Sequence, residues 1–344
     1  MSAAATSTAA TRAVTPPPRR THAPRPAADG AVRPGRRRAW RRYRPSTFYA
    51  FIAPWAFGFV ALTLFPLGFA LWMSFTNYDG ISPTTSFIGW ENYLRAFSDR
   101  ELLGSLLLTL LLMLVVVPLT VLFGLLLALL CNQQIRGRGI YRSLLYLPAV
   151  LPVTAGSLSF RLLFDQDTGP VNGVLAAMGF DAIPWVQGNY AFGLLLTFML
   201  WGAGGSMVIS LASLQSVPVE LLEAATVDGA GVMRRFASIT VPMISPMLLF
   251  QFVTGVIGSI QMFIPALLMG NASLGGAGNV TGVPEGLRVY MLYVYQTYFS
   301  YGDFGYASAM LWMLFVVIVA ITILVFAGSK RFVHYENNSP DEVN

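Results

Sequence analysis

Six stretches of the chain are almost unbroken in apolar character: residues 48–75, 102–130, 144–164, 190–214, 241–269 and 306–326. Each is at or above the roughly 20 residues a helix needs to cross about 30 Å of hydrocarbon. Backbone groups in lipid must be paired internally, and these runs are too long and continuous for barrel strands, which alternate with period two over about ten residues. The pattern predicts an all-α polytopic membrane protein with six transmembrane helices.

Composition and charge orient that bundle. The 344 residues are 55% hydrophobic and 11% charged, against about 25% charged in an average soluble protein. Eleven arginines precede Phe48, Arg136, Arg138 and Arg142 follow the second run, Arg234 and Arg235 precede the fifth, and Lys330 and Arg331 follow the sixth. The alternate loops hold only Arg95, Arg100 and Arg288. The positive-inside rule therefore places both termini in the cytoplasm of a cell whose plasma membrane the chain crosses repeatedly. Residues 1–47 have the Pro-, Ala- and Arg-rich composition of a disordered cytoplasmic tail, 48–332 form the six-helix domain, and 333–344 a short cytoplasmic tail. The net charge of +6 comes mostly from the first tail and needs no nucleic-acid partner. That tail reads either as a solvated tether drawn weakly to anionic membrane lipid or as a docking arm. No short h-region with a cleavage site follows Arg19 and Arg20, so the first apolar run is expected to remain as an anchor.

Several chemistries are not expected. Cys131 is the single cysteine, His22 and His334 lie at opposite ends, and no metal-ligand spacing occurs. A membrane-embedded enzyme would need a cluster of His, Asp, Glu or Cys at the membrane face. Catalytic residues, a metal and a cofactor of its own are thus expected to be none. No G-x-x-x-x-G-K-[ST] stretch is found, so the chain carries no nucleotide-binding loop.

Within the runs, prolines and polar residues stand out. Trp90 and Tyr93 have the shape expected at the outer interface. The second run, with Pro118 as a kink, reads as scaffold. Arg161 is either an interface anchor or a pathway residue. Gly202, Gly204, Gly205 and Ser206 mark either a close helix contact or a ligand site. Gln251, Ser259 and Gln261 lie inside hydrocarbon, where polar side chains face the bundle interior; lining a solute path and bonding between helices both remain open.

The segment EAATVDGAGVMRRFASITVPMISP, beginning at Glu223, breaks the apolar pattern. Pro218 suits the first turn of a short helix through Glu220, Glu223 and Ala225. Gly229 permits a sharp turn, and Asp228 can cap a second short helix, VMRRFASI, which leads to Pro242. By periodicity alone this is an amphipathic connector on the membrane surface.

The order of residues in that segment resembles the permease subunits of bacterial ATP-binding-cassette importers, whose last cytoplasmic loop carries E-A-A-x-x-D-G-A and then F, I and P. Glu223, Ala224, Ala225, Asp228, Gly229, Ala230, Phe236, Ile239 and Pro242 match in one register. The segments SFTNYDG, FIGWENY, YLPAVLPV and LFDQDTGPVN look like the carbohydrate branch, the maltose and glycerol-phosphate types. The stretch MGNASLGGAGN departs from the T-x-G-G-P of many members, and the arginine-rich tail lies outside the pattern. The resemblance, over residues 48–332, implies the type I importer permease fold and gives those nine residues the task of coupling to an ATPase. It further implies a second homologous permease, an ATPase dimer that binds the ATP, an extracytoplasmic solute-binding (lipo)protein and a sugar substrate, for which Ser206, Gln251, Ser259 and Gln261 are the pathway candidates. The alternative is an ion-coupled secondary transporter, which would normally bury ionisable residues in its spans or carry matched broken helices.

Overall fold

The structure, a computed structural model, describes residues 45–82, 84–134, 136–270 and 283–329. The expectations for the N-terminal tail, apart from its last residues, and for the C-terminal tail lie outside the described residues. The described residues fall into two compact units that divide between Phe57 and Gly58.

The first helix, α1, runs over Ser46–Met73 and bears a π-helical turn at Val60–Leu64. Pro66 lies two residues past the end of that turn. A proline collides with the carbonyl four residues back, here Leu62, and the wider turn moves that carbonyl aside. The second unit continues with α2 (Glu91–Ser98), α3 (Arg100–Asn132), α4 (Arg138–Val150), α5 (Val153–Leu163) and α6 (Pro170–Ala177). After them come α7 (Gly188–Trp201), α8 (Gly204–Gln215), α9 (Val219–Val227) and α10 (Val232–Ile260). The last are α11 (Ile264–Gly270), α12 (Tyr290–Phe299) and α13 (Phe304–Ser329).

Among the described residues, four helices (α1, α3, α10 and α13) are long and apolar enough to cross a membrane alone, and there are up to six spans if each of two bent pairs makes one. Three of the expected spans differ from straight helices. The run 144–164 is split between α4 and α5, which meet at 95°. Leu151 stands before Pro152 and is extended, with ψ 140°, because a residue ahead of proline is pushed out of the helical region. The run 190–214 bends by 40° between α7 and α8, where Gly202 and Ala203 interrupt it. The fifth helix starts at Val232 rather than at 241 and stops at Ile260, with 264–270 forming a separate turn of helix. VMRRFASI is therefore not an independent helix but the opening of α10. The π-helical turn Phe236–Thr240 lets it run through Pro242, whose clashing carbonyl, at Ser238, falls inside the turn.

The pillar is α3, which spans about 50 Å at 1.5 Å per residue. It supplies Leu112 and Val116 to one apolar cluster with α7 and α11, Leu102 and Val117 to a second with α10, α12 and α13, and Ala128 and Cys131 to a third with α8. This agrees with its reading as scaffold. At its N-terminal end Asp99 caps the helix, accepting from the N–H groups of Glu101 and Leu102. The other carboxylate oxygen accepts from the hydroxyls of Tyr293 (2.9 Å) and Tyr306 (2.8 Å). Arg95 lies 3.9 Å over the Tyr306 ring and pairs with Asp303 at 2.6 Å. Three helices are thereby tied to α3 at the end remote from α9.

Candidate functional site

Two features are built on the pair α8 and α10: an elbow that joins them and a cavity farther along. The elbow begins at Pro218, whose extended backbone precedes α9. Gly229 ends that helix with φ +75°, while Ala230 N–H bonds Ala225 O at 2.9 Å and Gly229 N–H bonds Thr226 O at 3.1 Å. These two bonds around a left-handed glycine form a Schellman stop. Asp228 is consequently the last cap of α9, its N–H on Ala224 O at 3.0 Å, and does not start the following helix; Gly231 holds that place for α10.

Leu222 turns inward onto the cluster of Ala128, Met207, Leu211 and Ile244. Arg235 donates to the Thr226 hydroxyl, which itself donates to Leu222 O at 2.6 Å, and so fastens α9 to the base of α10. Glu223, Ala224, Asp228 and Gly229 face outward; Ala225, Ala230, Phe236, Ile239 and Pro242 are half-buried. Glu223 joins no ion pair among the described residues. Val227 is 88% and Met233 77% exposed, so the elbow presents a carboxylate beside uncovered apolar side chains.

The cavity has a volume of about 820 Å³ and is walled by α3, the α4–α5 break, α7, α8, α10 and α11. Ser206, Gln251, Ser259 and Gln261 all lie in its wall. Gln251 is buried, at 6% exposure. Its Oε1 accepts from Ser206 Oγ, and its Nε2 donates to Ser210 Oγ at 3.1 Å. The two readings of Gln251 are therefore compatible in one residue, since its amide joins α8 to α10 and borders the open space. Ser259 donates back to Val256 O at 3.1 Å, and Gln261 is exposed at the end of α10.

Arg161 lines a separate recess of about 570 Å³ with Asp165 and Asp167, its guanidinium on Leu268 O at 3.4 Å. The Thr168 hydroxyl and N–H hold the Asp165 carboxyl below the usual range. In the glycine cluster, Gly204 lies so close to the Leu145 carbonyl that a Cβ would collide with it, while Gly202 borders the cavity. Two participants escaped the sequence reading. Ser210 was visible as a serine one turn after Ser206, on the same helix face. Trp201, fixed by Phe160 at 5.1 Å and Phe198 at 6.2 Å, carried no local signal.

Residues 96–334 match the family described as binding-protein-dependent transport system inner membrane component. The chain is 37% identical to the probable ABC transporter permease protein YesP of Bacillus subtilis (strain 168), over 84% of this chain and 92% of that one. It is 29% identical to the trehalose/maltose transport system permease protein MalF of Thermococcus litoralis, over 85% and 96%. A crystal structure of a bacterial ABC transporter involved in the import of the acidic polysaccharide alginate shares the fold, with TM-score 0.73, 22% identity and coverage of 84% and 96%.

Proposed function

Because this chain belongs to the binding-protein-dependent transport system inner membrane components, and is thus the permease subunit of an ATP-binding-cassette importer rather than an enzyme, we propose that it forms half of a sugar pathway and is driven through its elbow. The other half is a second, homologous permease. Two ATPase subunits grip Glu223 and the apolar flank of the elbow, binding the ATP that this chain does not, and a solute-binding protein delivers sugar at the opposite face. Each bent pair counts as one span, giving six, with both termini on the elbow's side and the basic loops in the cytoplasm. Lipid surrounds the exposed faces of α1 and α13.

The observation that carries this reading is the continuity from elbow to cavity. From Val232 to Gln251 is roughly 28 Å along α10 at 1.5 Å per residue, and Arg235 fastens α9 to the lower end of that rod. Closure of the ATPases around ATP displaces α9, and α8 and α10 carry the displacement to Ser206 and Gln251. Nucleotide shifts the inward–outward equilibrium only by its differential affinity for the two states. Family membership disfavours the ion-coupled alternative.

A Cβ at Gly229 meets no atom within 4 Å, and aspartate enters the left-handed region more readily than most residues. Gly229→Asp should therefore leave the protein folded and in the membrane while placing bulk and charge on the docking face. Uptake is expected to disappear, and the ATPase to be lost from the purified complex. Normal transport by this variant would remove the coupling role.

A further inference from the structure

We propose that the cavity admits uncharged sugars and discriminates against acidic ones, with the Gln251 carboxamide as the group that senses the solute; this rests on the importer reading above. Among the described residues, the wall contains no acidic or basic side chain. Its polar groups are carboxamides and hydroxyls, those of Gln251, Gln261, Ser206, Ser259, Thr120 and Thr254, and its apolar part includes the aromatic rings of Phe198 and Trp201. Arg161, in the span next to it, is turned into the separate recess with Asp165.

A carboxylate, sulfonate or phosphate entering such a wall loses water and gains no counter-charge, which strongly disfavours it. A sugar hydroxyl is donor and acceptor at once, and a carboxamide answers both functions. Gln251 is set for this because two serines on α8 fix its plane. Ser206 donates to Oε1, and Ser210 accepts from Nε2 while its hydroxyl also reaches Oε1 at 3.5 Å, leaving the second N–H of the amide for a solute. Ser206 and Ser210 are thus positioning residues, and Trp201, held by Phe160 and Phe198, offers an apolar surface to the C–H face of a pyranose. A preference for neutral solutes sets this cavity apart from its structural neighbour, the transporter involved in the import of the acidic polysaccharide alginate.

The test uses the complete importer, this chain with its partner permease, ATPase and binding protein, in a host lacking sugar uptake. Entry of labelled trehalose, maltotriose and arabinotriose is compared with entry of alginate trisaccharide and glycerol 3-phosphate. At least one neutral sugar is expected to enter about tenfold faster than either acidic solute. Gln251→Glu keeps the shape and can still accept from both serines, and should lower that uptake about tenfold. Ser210→Ala should raise KM more than it lowers the maximal rate, and Ser210→Thr should restore it. Acidic solutes entering as fast as neutral ones, or no neutral sugar entering, overturns the proposal. If the ATPase still co-purifies, the importer reading survives that result; if it does not, both fall.

Discussion

A threonine inside a helix commonly returns its hydroxyl hydrogen to a carbonyl one turn back, as Thr109 does to Ser105 O and Thr297 to Tyr293 O. Thr322 Oγ1 on α13 is buried and has no partner among the described residues. A buried hydroxyl left unpaired costs about 1–3 kcal/mol, and an apolar group of the same shape avoids that cost. Thr322→Val should therefore raise stability by about 1 kcal/mol, seen as a higher melting temperature in detergent with transport unchanged. Asp99 behaves oppositely, since its surroundings favour the charged form. Burial pushes its carboxyl up, but the Leu102 N–H and the Tyr306 and Tyr293 hydroxyls together outweigh it, leaving the group below its usual value. A carboxyl depressed in the folded state stabilises fully above its unfolded value of about 3.9 and loses that contribution as pH falls through the folded value. Melting should thus drop more steeply below about pH 4 in the native protein than in Asp99→Asn, which keeps a cap oxygen but cannot ionise. Parallel curves for the two would show that the tyrosine–carboxylate cluster adds no pH-dependent stability.

At the level of elements, close approach of backbones is what small residues make possible in lipid. Gly204 brings α8 against the Leu145 carbonyl of α4, and Gly124 brings α3 against Ser206 of α8. Gly204→Ala forces a methyl into that carbonyl and should cost about 1–3 kcal/mol, whereas Gly104→Ala, where a Cβ meets nothing within 4 Å, should cost none. Comparable melting of the two variants would contradict the packing role. The positions of the runs were legible because hydrocarbon thickness imposes a length on every crossing helix, and the tight stop at Gly229 because few residues tolerate φ +75°. The 95° break at Leu151 and Pro152 was not. Pro118 sits within a continuous α3 and Pro148 within α4, so a proline alone does not say whether a helix kinks or ends. The start of α10 was misplaced for a related reason. Pro242 resembles a boundary, yet a π-helical turn upstream absorbs it, and the same device at Val60–Leu64 precedes Pro66. The Gln251–Ser210 contact, 41 residues apart in the chain, depends on which faces of two helices meet, which periodicity in nearly uniform apolar runs does not encode.

Across the whole molecule, the proposed coupling requires that an event at the elbow be felt at the cavity, and α8 and α10, which the elbow joins, both border that cavity. Both are packed against the long pillar α3, so displacement of the elbow cannot be absorbed locally without disturbing the cluster of Ala128, Met207 and Ile244 that Leu222 enters. The single cysteine makes this accessible to experiment. Cys131 is 3% exposed, so Ala225→Cys supplies the one reachable thiol on the chain. Ala225 is only half-buried, and a cysteine there adds little bulk to the helix. In inverted membrane vesicles a short bifunctional cross-linker should join this thiol to the ATPase subunit. The yield should differ between nucleotide-free and ATP-bound conditions, because the elbow and its partner move relative to each other only if nucleotide binding is transmitted there. A yield that ignores nucleotide would place the moving contact elsewhere in the complex. Absence of any adduct with the ATPase, under every nucleotide condition, would end the assignment of Glu223–Pro242 as the coupling segment.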